Sequence, residues 1–135
     1  MEMKIRFPGN KKVSAEFEGL TVLTDQPKDN GGDGSAPAPF DLFRASIGTC
    51  AGYFVMAFCE KRGISTEGVE LLQSMEWDDA KHLYTKINLE IRVPATFPEK
   101  YRESLVNAAN LCSVKKHLQS PPQFEVFTRV IGAVR

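Results

Sequence analysis

Only three cysteines and two histidines occur in these 135 residues. None of them falls in CxxC or HxxxH spacing, so no metal site is expected. An odd cysteine count also argues against a structural disulfide framework. The opening residues, MEMKIRFPG, lack the apolar core of a signal peptide. The expected location is therefore the cytoplasm, where a cysteine pair would be catalytic or redox-active. Charge of one sign is not in excess: 17 Lys and Arg balance 17 Asp and Glu, so no general attraction to nucleic acid or to acidic membranes is expected. The longest uncharged run, residues 45–59, falls short of the roughly 20 residues that span a bilayer. The Gly31-Gly32-Asp33-Gly34 segment lacks the Gly-Lys-Ser/Thr of a phosphate loop and the spacing of a dinucleotide fingerprint, and reads as a flexible loop. No repeat, low-complexity tract or linker appears, so residues 1–135 are expected to form one domain.

The N-terminal third alternates by twos. Met3, Ile5 and Phe7 stand against Lys4 and Arg6, and Val13, Ala15 and Phe17 against Ser14, Glu16 and Glu18. With Leu20 to Leu23 they predict three short strands separated by turns at Pro8-Gly9-Asn10 and Glu18-Gly19. A loop rich in Gly, Pro and Asp follows over residues 25–39. Pro39 then opens a helix, Asp41 complements its dipole, and Gly63 caps it after Lys61 and Arg62. Such a helix is about 24 residues, or roughly 36 Å, long. Its middle is apolar on every side, and so few other elements cannot wrap it. A homodimer burying one side against a partner is the natural solution.

Val69, Leu71, Met75 and Trp77 predict a fourth strand, and Thr85, Ile87, Leu89, Ile91 and Val93 a fifth. Thr96 and Glu99 have capping-box spacing before a helix whose apolar face is Tyr101, Leu105 and Ala108. Asn110 interrupts it, and Cys112 starts a second helical piece. Residues 124–134 read as a closing strand. The order βββ-α-ββ-α-β is an α+β fold with a long central helix.

Cys50 lies inside the uncharged run, flanked by Gly48, Thr49, Ala51 and Gly52. A thiol there is an inert apolar filler or a nucleophile kept from bulk water. The glycines cost helix propensity, about 1 kcal/mol each against Ala, and let another backbone or a substrate come close. Cys59, nine residues on, lies about 13.5 Å further along the helix axis. It cannot pair with Cys50, since a disulfide needs Cα atoms within about 7 Å, and reads as core. Cys112 is then the remaining intrachain partner. At a helix start with Lys115 and Lys116 nearby, its pKa is expected to fall. His82 reads as solvent-facing; His117 reads as a surface residue or a neighbour of the site.

Two segments carry a family resemblance. GGDGSAPAPFDLFRASIGTCAGYFVMAFCEKRGI and LCSVKKHL resemble the glycine-rich loop, cysteine helix and second cysteine motif of the OsmC/Ohr proteins (osmotically inducible and organic hydroperoxide resistance). Ser113 replaces that motif's proline, and TKINLEIRV matches the intervening strand. The resemblance implies an intertwined homodimer with active sites at the subunit interface. Cys50 would be the peroxidatic and Cys112 the resolving cysteine of a peroxidase for organic hydroperoxides, acting in the oxidative stress response. No bound cofactor is implied; an external dithiol, lipoyl-type or other, would be the reductant. The family's dedicated reductases carry an arginine that holds the thiolate and a glutamate that orients it. Here Lys12 is the nearest match to the arginine, and Phe40 occupies the glutamate position with Asp41 one residue later. The pattern resembles the less characterised OsmC-like branch. The alternative is a non-enzymatic binding protein for an apolar small molecule on the same dimer.

Overall fold

Two hairpins close the alternating N-terminal segments into a meander. The computed structural model, which describes residues 1–132, forms β1 (Lys4–Gly9), β2 (Lys12–Phe17) and β3 (Leu20–Thr24) as an antiparallel sheet in the order β1-β2-β3. Ile5 stands opposite Ala15, and Ala15 opposite Val22. Its rim is apolar and open: Met3, Ile5, Phe7, Leu20 and Leu23 are all exposed.

The loop after β3 is not flexible in the way its glycines suggest. Asp25 is fully buried and gathers the loop around its carboxylate. It accepts from the Gln26 amide at 2.8 Å, the Asp33 amide at 3.2 Å, and the Ser35 amide and hydroxyl at 3.0 and 2.7 Å. The fold over it is tight, because a Cβ at Gly32 would overlap the Gln26 backbone.

The central helix α1 (Pro39–Lys61) follows. Ala38 has no side-chain oxygen to cap it, so only the return half of a capping box forms: the Ala38 amide donates to Asp41 at 3.1 Å. Gly63 ends the helix at φ 64°, and the Ile64 amide reaches back to the Cys59 carbonyl at 2.9 Å. With its flanks α1 has 23 residues and is long and apolar enough to cross a bilayer by length and composition. The uncharged run alone suggested otherwise, because it leaves out the Pro39–Arg44 turn. Ile47, Ala51, Val55, Phe58 and Cys59 form its buried stripe.

Strands β4 (Glu70–Asp78) and β5 (Leu83–Arg92) make a second, two-stranded antiparallel sheet with an irregularity between Glu76 and Trp77. A 3₁₀ turn at Glu99–Tyr101 leads into α2 (Arg102–Ala109), and α3 (Ser113–Gln119) follows after a break at Asn110 and Leu111. Thr96 does not cap this helix; Pro98 leads in instead, and the buried face is Leu105 and Ala109. The core is Ala51, Val55, Phe58 and Cys59 of α1 against Phe97, Leu105 and Ala109, with Leu71, Leu89 and Ile91 packed on it. Cys59 is core, as expected, and burial pushes its thiol up.

The chain is α+β, but the closing strand is not formed within the described residues. Residues 124–132 pair with nothing, and Phe124, Val126, Phe127, Val130 and Ile131 are exposed. A strand, unlike a helix, must find its hydrogen bonds on another segment, and among the described residues this segment is paired with neither sheet. Positions 133 and 134 of the expected strand lie outside the described residues.

Candidate active site

The break at Asn110 and Leu111 turns the start of α3 back toward the middle of α1. Cys112 becomes the N-cap of α3: its sulfur accepts from the Lys115 amide at 3.4 Å. Ser113 opens the helix, and its Oγ lies 3.8 Å from the Cys50 sulfur. Cys50, half-buried on α1, thus meets Cys112, Ser113 and Val114 together.

The surroundings push the two thiols in opposite directions. The Val114 amide first, then the Cys112 thiol, hold Cys50 down to about 7 against the effect of burial, and the Ser113 hydroxyl and amide add to them. Cys112 goes up instead, driven by its own burial and by its hydrogen bond to Cys50. The local reasoning from amides and lysines expected Cys112 to fall. Burial outweighs it, and Lys115 turns its ammonium to the Asn110 side chain at 2.6 Å. At neutral pH Cys50 is therefore partly thiolate, beside a Cys112 that stays a thiol.

Lys12, the nearest match to the family's arginine, does not act on Cys50, and neither do Arg6 and Arg44. Lys12 is bound to Asp33 at 2.6 Å and Arg6 to Glu16 at 2.8 Å, while Arg44 pairs with Asp41. Asp41 is occupied by that pair and by the Ala38 amide, and Phe40 stacks on Tyr84 with ring centroids 5.8 Å apart. Among the described residues no cluster of His, Cys, Asp or Glu could hold a metal ion. His82 is exposed in the β4–β5 turn, and His117 shares a hydrogen bond of 2.6 Å with the Ser113 carbonyl.

Cys112 also lines a cavity of about 560 Å³ between α1, β5, α2 and α3. The alternation along β5 sends Ile87, Leu89 and Ile91 into it, facing Ile47, Val106 and Leu118. Gln73 holds the floor of α1 beside it: its Nε2 donates to the Arg44 carbonyl at 2.9 Å, and its Oε1 would lie 2.6 Å from a Cβ at Gly48. Glycine at this position lets the helix approach β4.

The buried Asp25 was not visible in the sequence, where it looked like one of several loop acids. Its carboxyl is held down to about 2, from an ordinary 3.8, first by the Ser35 hydroxyl and then by the Ser35 amide. A depressed carboxylate adds stability above its ordinary pKa and loses it as pH falls through the folded value. We expect the loop to loosen between pH 3.8 and about 2, seen as faster amide exchange at Gln26, Asp33 and Ser35. Asp25→Asn should give that fast exchange already at neutral pH; unchanged protection there would contradict the anchoring role.

The sequence profile of the OsmC-like proteins matches residues 32–127. No curated protein sequence matches. Among solved structures, an osmotic stress and detoxification response protein assigned in Psychrobacter arcticus is 22% identical, with 84% of this chain and 85% of that one covered and a TM-score of 0.69. The organic hydroperoxide resistance protein OsmC of Legionella pneumophila is 20% identical over 87% and 88% of the two chains, TM-score 0.54. OhrB of Bacillus subtilis, an organic hydroperoxide resistance protein, is 18% identical over 90% and 93%, TM-score 0.52. At these identities the structures speak for the fold. The profile spans most of the chain, including both cysteine motifs and the later part of the loop that Asp25 gathers, and the chain belongs to the family of OsmC-like proteins.

Proposed function

We propose that this protein is a thiol-dependent peroxidase that reduces organic hydroperoxides through Cys50 and Cys112, with its active sites at the interface of a homodimer. The observation that carries this reading is the opposite displacement of two touching thiols, Cys50 down to about 7 and Cys112 up. The Cys50 thiolate attacks a peroxide oxygen, the O–O bond breaks, and the departing alkoxide takes a proton and leaves as alcohol. The sulfenic acid on Cys50 condenses with the Cys112 thiol, forming the S–S bond and releasing water. An external dithiol then reduces the disulfide by exchange and is itself oxidised. A reducing cytoplasm suits such a cycle.

The apolar cavity supports the choice of an organic rather than an inorganic peroxide, since its wall of Ile, Leu and Val rewards a hydrocarbon tail. It also supports the second reading, a binding protein for an apolar small molecule. One experiment separates them. Reduced protein given one equivalent of cumene hydroperoxide should become lighter by two hydrogens, with Cys50 linked to Cys112 in peptide mapping. Retention of both free thiols, with the hydroperoxide bound intact, would favour the binding protein.

A further inference from the structure

Among the described residues no cation acts on the thiol of Cys50, yet the site must hold its negative charge. Lys12, Arg6 and Arg44 each serve a carboxylate elsewhere, and the nearest side-chain donors come from α3. Ser113 Oγ is 3.8 Å from the Cys50 sulfur, within reach of an O–H···S bond, and makes no other hydrogen bond among the described residues. We propose that Ser113 is a positioning residue for the Cys50 thiolate, its hydroxyl donating to the sulfur in the place where the chain has no positive side chain to offer.

The rest of the surroundings fit this assignment. Of the titratable groups on the elements packed around Cys50, Cys112 touches the sulfur, Lys115 is turned to Asn110, and His117 bonds the Ser113 carbonyl. α1 itself carries no charge between Arg44 and Glu60. Ser113 is the first residue of α3, a position that tolerates proline because its amide has no partner within the helix. Proline there would remove the hydroxyl and the amide hydrogen together while leaving the helix able to form. The hydroxyl is exposed, so water competes with it and its effect is graded rather than absolute.

The inference deepens the peroxidase reading, but its test does not depend on turnover. The rate of Cys50 alkylation by iodoacetamide, followed by peptide mass across pH, reports the thiolate fraction directly. Ser113→Ala should move the midpoint up by about half a unit, slowing alkylation about threefold at pH 6, and Ser113→Pro should slow it about tenfold. Ser113→Thr, which keeps a hydroxyl, should restore the wild-type profile, and His117→Asn run alongside controls for the ring bonded to the Ser113 carbonyl. Profiles that coincide in wild type, Ala and Pro variants overturn the proposal, as does a Thr variant shifted as far as Ala. A shifted midpoint in a protein that consumes no hydroperoxide would uphold Ser113 and sink the peroxidase instead.

Discussion

Cys50→Ser should lose hydroperoxide turnover on the order of a thousandfold or more, because a serine hydroxyl stays protonated where the Cys50 thiol ionises and the neighbouring Cys112 thiol is held up by its burial. Cys112→Ser should behave differently. The peroxide step needs only Cys50, so each site should consume one equivalent and stop, with sulfenic acid at Cys50 that dimedone traps. Cys59→Ala is the control. Its sulfur is fully buried in the core, so the change should remove about 1 kcal/mol of stability through a small cavity and leave turnover as it was. Turnover surviving in Cys50→Ser, or vanishing in a folded Cys59→Ala protein, would mean that the wrong pair of cysteines has been assigned.

A second large effect is expected on dilution. A compact monomer of 15.0 kDa exposes about 7,000 Å², whereas this chain exposes 10723 Å². The excess of roughly 3,700 Å² per chain, or about 7,400 Å² for a pair, is ample for an obligate interface. It is apolar where it matters: Tyr53 and Met56 on α1, Phe7 on the first sheet, Trp77 on the second, and the unpaired segment ending in Val130 and Ile131. We expect sedimentation at the mass of a dimer, with fold and association lost together and about 1.4 kcal/mol of stability lost per tenfold dilution. Met56→Asp should shift that loss to higher protein concentration. A compact, folded monomer at micromolar concentration would defeat the dimer.

Features that depend on near neighbours in the chain were readable beforehand. Pro39 and Gly63 bound α1, and the strict alternation from Thr85 to Val93 marks β5 and the wall it gives the cavity. Where the reading failed, distant segments decide. Residues 124–132 have the pattern of a strand, but pattern cannot supply a pairing edge. Asp25 matters because donors from eight and ten residues away converge on it, and only the curled loop brings them there. The Cys112 thiol was expected to fall from its own helix start; its burial, set by α1 and the cavity, pushes it up instead. The Ser113 contact depends on the turn at Asn110 and Leu111, whose direction no local motif announces.

Cys50 and Cys112 touch in the fold although they are 62 residues apart. A bond between them would enclose the second half of α1, the β4–β5 hairpin and α2 in one covalent ring, and closing a ring of that size restricts the unfolded chain by about 4 kcal/mol. The same quantity read in reverse is the advantage that folding gives to the pairing of these two sulfurs. Heat stability thus becomes a gauge of oxidation: the oxidised protein should melt higher than the reduced one, and a reductant acting on the folded protein must overcome the ring as well as the bond.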